Sequence, residues 1–140
     1  MRTVRDGSGT HYVLLKQSGE SSLVRDPETG TEKHVANDDL EPIDGESPLS
    51  TAATAVPESV CKVLTAAHDD RALGLLVELD RRGPLSVHDL LDSYDLCESD
   101  LHGLLGEYRA AGLVEATEVL GQPGYDTTET ASDAVEFLTG

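Results

Sequence analysis

Apolar positions fall at helical spacing through most of the second half of the chain. Val60, Val63, Leu64 and Ala67 stand at i, i+3, i+4 and i+7, one face of a short helix with Pro57 at a first-turn position. Ala72, Leu75, Leu76 and Leu79 repeat the spacing on a helix predicted from about residue 69 to 82, which Gly83-Pro84 stops. Ser86 then caps a further helix, with Asp89 as the capping-box partner and Leu85 and Leu90 placed as a hydrophobic staple. Leu96, the cap position Cys97 and Leu101 repeat that arrangement. Leu101, Leu104, Leu105 and Tyr108 give the new helix one buried face. Gly112 ends it in the left-handed conformation, with Leu113 folding back on Tyr108. Leu113 to Leu120 reads as a strand, Gly121 to Gly124 as a turn, and Tyr125 to Thr127 as the return strand. A last helix is expected from about residue 130 to 138.

The first 45 residues have strand spacing instead. Thr10 to Gln17 is apolar and β-rich, Ser18 to Ser21 is a turn signal, and Ser22–Arg25 pairs with Glu32–Ala36 across the turn residues 26–30. The expectation is a three- or four-stranded antiparallel module over residues 1–45. It is too small to be comfortably stable alone, so it should pack on the helical part or on another copy. Residues 46–56 are small, polar and aperiodic, which is linker composition. The fold class is therefore α+β, with a helical domain over residues 57–140.

Helix, turn, helix and a two-stranded wing form a pattern that resembles the winged helix-turn-helix regulators of the ArsR- and MarR-like kind, in particular the small haloarchaeal versions. The resemblance spans residues 57–139 and rests on LSVHDLLDSYDLCESDLHGLLGEYRAAGLVE and YDTTETASDAVEFL. It implies DNA binding through the second helix and the wing, as a homodimer. The extra helix before the core and the last helix would build the dimer interface, here with Val60, Val63, Leu64, Val135, Phe137 and Leu138. The competing reading is that both stripes cap the core of a monomer.

Charge changes the picture. The formal net charge is −17, from 27 acidic and 10 basic residues, and the acids are dispersed along the chain. That pattern matches a surface kept soluble in molar salt; a basic binding partner is the other reading. Residues 1–46 carry five of the basic side chains (Arg2, Arg5, Lys16, Arg25, Lys33) against ten acids; these are solvated strand positions or, in the other reading, a binding face for a protein partner. No apolar run is long enough for a membrane span, and the start lacks a signal-peptide core, so a cytoplasmic location is expected. His11, His34, His68, His88 and His102 show no ligand spacing, and no phosphate-binding fingerprint occurs. No enzyme activity, metal or cofactor is expected. Cys61, His68, His88 and Cys97 are the sole zinc candidates in the helical domain. A helix N-terminus would favour a Cys97 thiolate, but the residue equally fills a cap where serine would serve.

On the second helix, the face away from the leucines carries Ser99, His102, Gly103, Gly106 and Arg109, beside Glu98. These are the candidate DNA-reading residues, with Arg81, Arg82, Gln122 and Tyr125 as further contacts. Residues 47–140 hold five basic and 17 acidic side chains, which opposes phosphate binding in dilute buffer. In molar salt the Debye length falls to about 3 Å, and that repulsion is screened. Two functions stand side by side: the resemblance implies a dimeric DNA-binding transcriptional regulator, adapted to high salt, and the acidic composition of the second helix favours a winged-helix module that binds protein and does not touch DNA.

Overall fold

Short β-rich runs separated by turn residues build one sheet from the first 42 residues. In the computed structural model, which describes residues 1–140, the chain divides into two units, Met1–Pro57 and Glu58–Gly140. The first unit contains β1 (Arg2–Asp6), β2 (His11–Gln17), β3 (Ser21–Arg25), β4 (Glu32–Ala36) and β5 (Leu40–Pro42). The order is β4-β3-β2-β1-β5, all antiparallel. A 3-10 turn at Asn37–Asp39 carries the chain back so that Pro42 pairs with Val4. The sheet thus has five strands, not three or four, because β5 is too short to show alternation. Val4, Tyr12, Leu14 and Val24 form its apolar core, with Val35 and Leu40 packed against them.

Residues expected as linker supply a helix, α1 (Pro48–Ala53). Ser47 caps it, and Thr51 is fully buried, its hydroxyl 2.6 Å from that of Thr3, which is fully buried too. Thr51 also donates to Glu46 at 2.9 Å, and Glu46 faces His11 at 3.1 Å. The inward contact is polar, so the segment has no apolar stripe by which to be recognised.

The second unit contains α2 (Glu58–Ala66), α3 (Asp70–Arg82), β6 (Leu85–Ser86), α4 (Val87–Ser93), α5 (Glu98–Ala110), β7 (Val114–Val119), β8 (Gln122–Thr127) and α6 (Glu129–Thr139). Each predicted helix forms, the expected caps Ser86 and Cys97 hold, and Asp69 and Thr128 supply two more. Asp69 accepts from Ala72 N at 2.8 Å, Ser86 from Asp89 N at 3.0 Å, and Thr128 from Ala131 N at 3.3 Å. Leu76, Leu79, Leu90, Leu101, Leu105 and Leu113 are fully buried in the core. The fold is a winged helix-turn-helix preceded by a small antiparallel β module.

Two expectations change. The stripes on α2 and α6 face each other within one chain, so Val60, Val63 and Val135 are core residues at 3%, 0% and 2% exposure. They are not free for a dimer interface. Leu64, Phe137 and Leu138 remain outside at 61%, 62% and 43%.

The wing hairpin is also tighter than its sequence indicates. Val119 pairs with Gln122, so the turn is Leu120-Gly121 alone, with φ of 50° and 79°. Gln122-Pro123-Gly124, expected as turn, belongs to β8. The glycine serves the sheet: a Cβ on Gly124 would lie 2.6 Å from the Leu85 carbonyl oxygen, across the β6–β8 pair. Pro123 lies one position beyond the last β6 pairing, where β8 is an edge on that side and tolerates proline.

Glycines at two positions should respond oppositely to alanine. Gly124→Ala forces β6 off the wing and should cost about 2 kcal/mol or more, the range of a steric clash in a packed core. At Gly103 no atom lies within 4 Å of an added Cβ, so Gly103→Ala should stabilise by about 1 kcal/mol through helix propensity. Chemical denaturation of both variants reads the two signs.

Candidate nucleic-acid interface

Tyr108 anchors α5. It is 1% exposed, and its hydroxyl donates to the Ala72 carbonyl on α3. Gly112, at φ 75°, closes the helix: its N–H reaches Arg109 O at 3.0 Å, and Leu113 N–H reaches Tyr108 O at 2.8 Å. Both bonds belong to the Schellman motif, and they bury Leu113 beside Tyr108. The other end is capped by Cys97, whose sulfur accepts from Asp100 N at 3.4 Å. Burial first, and then the Asp69 and Glu107 carboxylates, push the Tyr108 phenol up to about 12.

Anchoring one face fixes what the other presents. At 100° per residue, Ser99, Gly103, Gly106 and Ala110 run down the middle of the exposed face. Glu98, His102 and Arg109 lie along one flank, and Asp100 and Glu107 along the other; all nine are exposed. His102 Nε2 stands 3.7 Å from Glu98, and His68 Nε2 stands 3.1 Å from Glu107. Ser99 and Gly103 border a groove of about 430 Å3 whose far wall is the start of α3. Gly106, like Gly103, has open space where a Cβ would stand. The chain therefore offers a smooth central ridge, with Arg109 as the fixed cation of the helix.

The remaining expected contacts divide. Arg81 and Gln122 are exposed. Arg82 is engaged: its Nη1 donates to the Tyr94 hydroxyl at 2.8 Å, its guanidinium lies over that ring, and Tyr94 in turn donates to Glu78 at 3.1 Å. The Tyr94 hydroxyl raises the Arg82 guanidinium above its ordinary value. Tyr125 is half-buried, paired with Leu85 and Ala116 in the wing sheet. In the β module, Arg5 is bound to Glu41 at 2.7 Å and Lys33 lies over Tyr12 at 5.0 Å.

One residue escaped the sequence reading. Leu120, at the wing tip, is 100% exposed and is the sole non-glycine residue with positive φ. A left-handed conformation costs a leucine about 1–2 kcal/mol. Its signal in the sequence was the missing Asn or Asp before Gly121, the pair a two-residue hairpin prefers.

No cluster of three His, Cys, Asp or Glu side chains is placed to hold a metal ion, and no helix is long and apolar enough to cross a membrane.

Helix-turn-helix, wing and exposed ridge define a winged-helix chain of the transcriptional-regulator type. Over residues 1–139 the chain matches the model of the family of unknown function DUF7346, and it belongs to that family. No curated protein matches it. Among solved structures it is similar to the transcriptional regulator HlyU from Vibrio vulnificus CMCP6. The identity is 26% over 63% of this chain and 86% of that one, with a TM-score of 0.50. HlyU from Vibrio cholerae N16961 matches at 26% identity over 57% and 87% of the two chains, with a TM-score of 0.49.

The Tyr108 phenol should be visible in alkaline stability. Its neutral form is favoured in the folded state, so its contribution is complete below the unfolded value of about 10. It is lost as pH rises towards about 12. Tyr108→Phe should show a shallower loss of stability over that window. At neutral pH it should be less stable by about 1 kcal/mol, because Ala72 loses its donor. Denaturant melts from pH 9 upward, on both proteins, check this.

Proposed function

We propose that this protein is a cytoplasmic DNA-binding transcriptional regulator that works as a homodimer in concentrated salt. The observation that carries the reading is the outer face of α5. The chain's own side chains leave it uncovered, and glycine at two central positions lets a nucleic acid approach the helix backbone. In this reading Ser99, Gly103 and Gly106 form the surface that enters the major groove. His102, on the flank, meets base edges, and Arg109 near the helix end contacts phosphate, with Arg81 and Gln122 as outlying contacts. Arg82 joins only by giving up Tyr94, and Tyr125 offers the exposed part of a half-buried side chain.

Screening supplies the electrostatic condition. At −17 the chain repels phosphate in dilute buffer, and molar salt removes that repulsion beyond contact distance. A specific observation favours the second reading, a module that binds protein. The wing strands β7 and β8 carry Glu115, Glu118 and Asp126 and no lysine or arginine. A protein partner for the β module belongs to the same reading. The dimer surface is assigned to Leu64, Phe137 and Leu138, the apolar side chains that α2 and α6 leave outside.

Fragment binding at fixed molar salt tests the DNA contacts. Arg109→Ala should weaken all fragments alike. His102→Ala should reduce discrimination between fragments, by about 1–3 kcal/mol per lost base contact. Unchanged binding in both variants removes α5 from the interface. Failure of the unmodified protein to bind any fragment favours the protein module.

The dimer assignment has its own control. Phe137→Asp should give a monomer with its thermal midpoint retained, whereas Val63→Asp should lower stability by burying a charge. Light scattering with parallel melts separates the two, and a monomeric unmodified protein at molar salt contradicts the assignment.

A further inference from the structure

A second groove, of about 470 Å3, runs along α3 opposite the turn Tyr94-Asp95-Leu96, and neither reading of α5 uses it. Its volume is that of a site for a small organic molecule. Leu75, Leu96 and the ring of Tyr94 give it an apolar wall. Gly74 lines it from the interior of α3, and a Cβ there would meet no atom within 4 Å. Glycine weakens a helix interior, and packing within the chain gives no reason for one here.

Polar groups stand at the two ends of the groove. Arg71 and Glu78, at i and i+7 on α3, lie about 10 Å apart along the helix axis. Arg71 Nη2 donates to the Asp95 carbonyl at 3.2 Å, and none of the chain's ion pairs includes it. That bond holds the guanidinium on the turn and leaves most of its donor fork unused. At the other end Glu78 accepts from the Tyr94 hydroxyl at 3.1 Å, and that hydroxyl accepts from Arg82 at 2.8 Å. Tyr94 has thus spent its donor, and Glu78 already holds a partner. The unpaired charge is the guanidinium, so the charge a ligand brings is negative. A second carboxylate would face Glu78, which limits the ligand to one.

We propose that this groove binds a small monocarboxylic acid with an apolar body about the size of one ring. The carboxylate pairs with the fork of Arg71, and the body lies over Gly74 against Leu75, Leu96 and Tyr94. The bound acid braces the α4–α5 turn against α3, so it acts on the segment from which α5 starts. The inference is independent of whether α5 meets DNA or protein.

Benzoate, benzamide and benzylamine are titrated in molar potassium chloride into the isotope-labelled unmodified protein, Arg71→Gln and Gly74→Leu, with amide shifts read residue by residue. Benzoate should shift the amides of Gly74, Asp95 and Leu96. It should bind about tenfold more tightly than benzamide, the effect of one charge-assisted contact. Arg71→Gln should lose that advantage and still bind benzamide as the unmodified protein does. Gly74→Leu places a side chain in open space on a helix, so its thermal midpoint should equal or exceed that of the unmodified protein, which excludes misfolding. It should bind neither probe, because the leucine fills the groove. Equal affinity of the unmodified protein for benzoate and benzamide overturns the proposal, as does benzylamine binding as tightly as benzoate. Shifts confined to residues outside the groove overturn it too. So do unchanged benzoate binding in Gly74→Leu and the absence of any shift at tens of millimolar probe.

Discussion

A strand only two residues long joins the wing to the helix-turn-helix, and it can do so because Gly124 has no side chain. Leu85 and Ser86 pair with Tyr125 and Gly124, and a Cβ at residue 124 would collide with the Leu85 carbonyl. Ser86 is also the N-cap of α4, its hydroxyl accepting from Asp89 N. One dipeptide therefore sets both where the first helix of the motif starts and where the wing stands. Moving either moves the other, which is the rigidity that a surface built from two separate elements requires.

The second helix is positioned from beneath. Tyr108 ties α5 to α3 through the Ala72 carbonyl, and the turn at Gly112 folds Leu113 under the same ring. Asp80 makes a matching tie on the other side of the unit, accepting from Thr127 and Ser132 at 3.1 and 2.6 Å and so binding α3 to the β8–α6 junction. With these contacts satisfied inside, the outer face of α5 has no structural duty. Its two glycines weaken the helix by about 1 kcal/mol each relative to alanine. Nothing in the chain uses the space they leave, and that asymmetry is the physical basis for assigning the ridge to an external partner.

Much of this was legible from apolar spacing and cap residues, because α2, α3, α5 and α6 bury residues at helical spacing and α3 to α6 begin on Asp69, Ser86, Cys97 and Thr128. Three features were not. Helix α1 buries a threonine through a hydroxyl network, which no hydrophobic period reports. Gly124 resembles a turn glycine in sequence, and its role is visible only once β6 lies across it. The stripes of α2 and α6 have the period of an interface, and period alone cannot say whether the covering partner is a second chain or the same one. Within the candidate site, exposure of Ser99, His102, Gly103, Gly106 and Arg109 followed from the leucine pattern. The capture of Arg82 by Tyr94 depends on a contact between residues 12 apart, which periodicity does not encode.

The outer face of α5 is the surface proposed to meet DNA. Amide hydrogen exchange at molar potassium chloride, with and without a duplex fragment that the protein retains, reads that surface directly. DNA seated on α5 should slow exchange in its first turn, where amides lack helical partners, and at the wing turn around Leu120, with α2 and α6 unaffected. Slowed exchange confined to the β module, or to the exposed side of α2 and α6, would place the DNA elsewhere and contradict it.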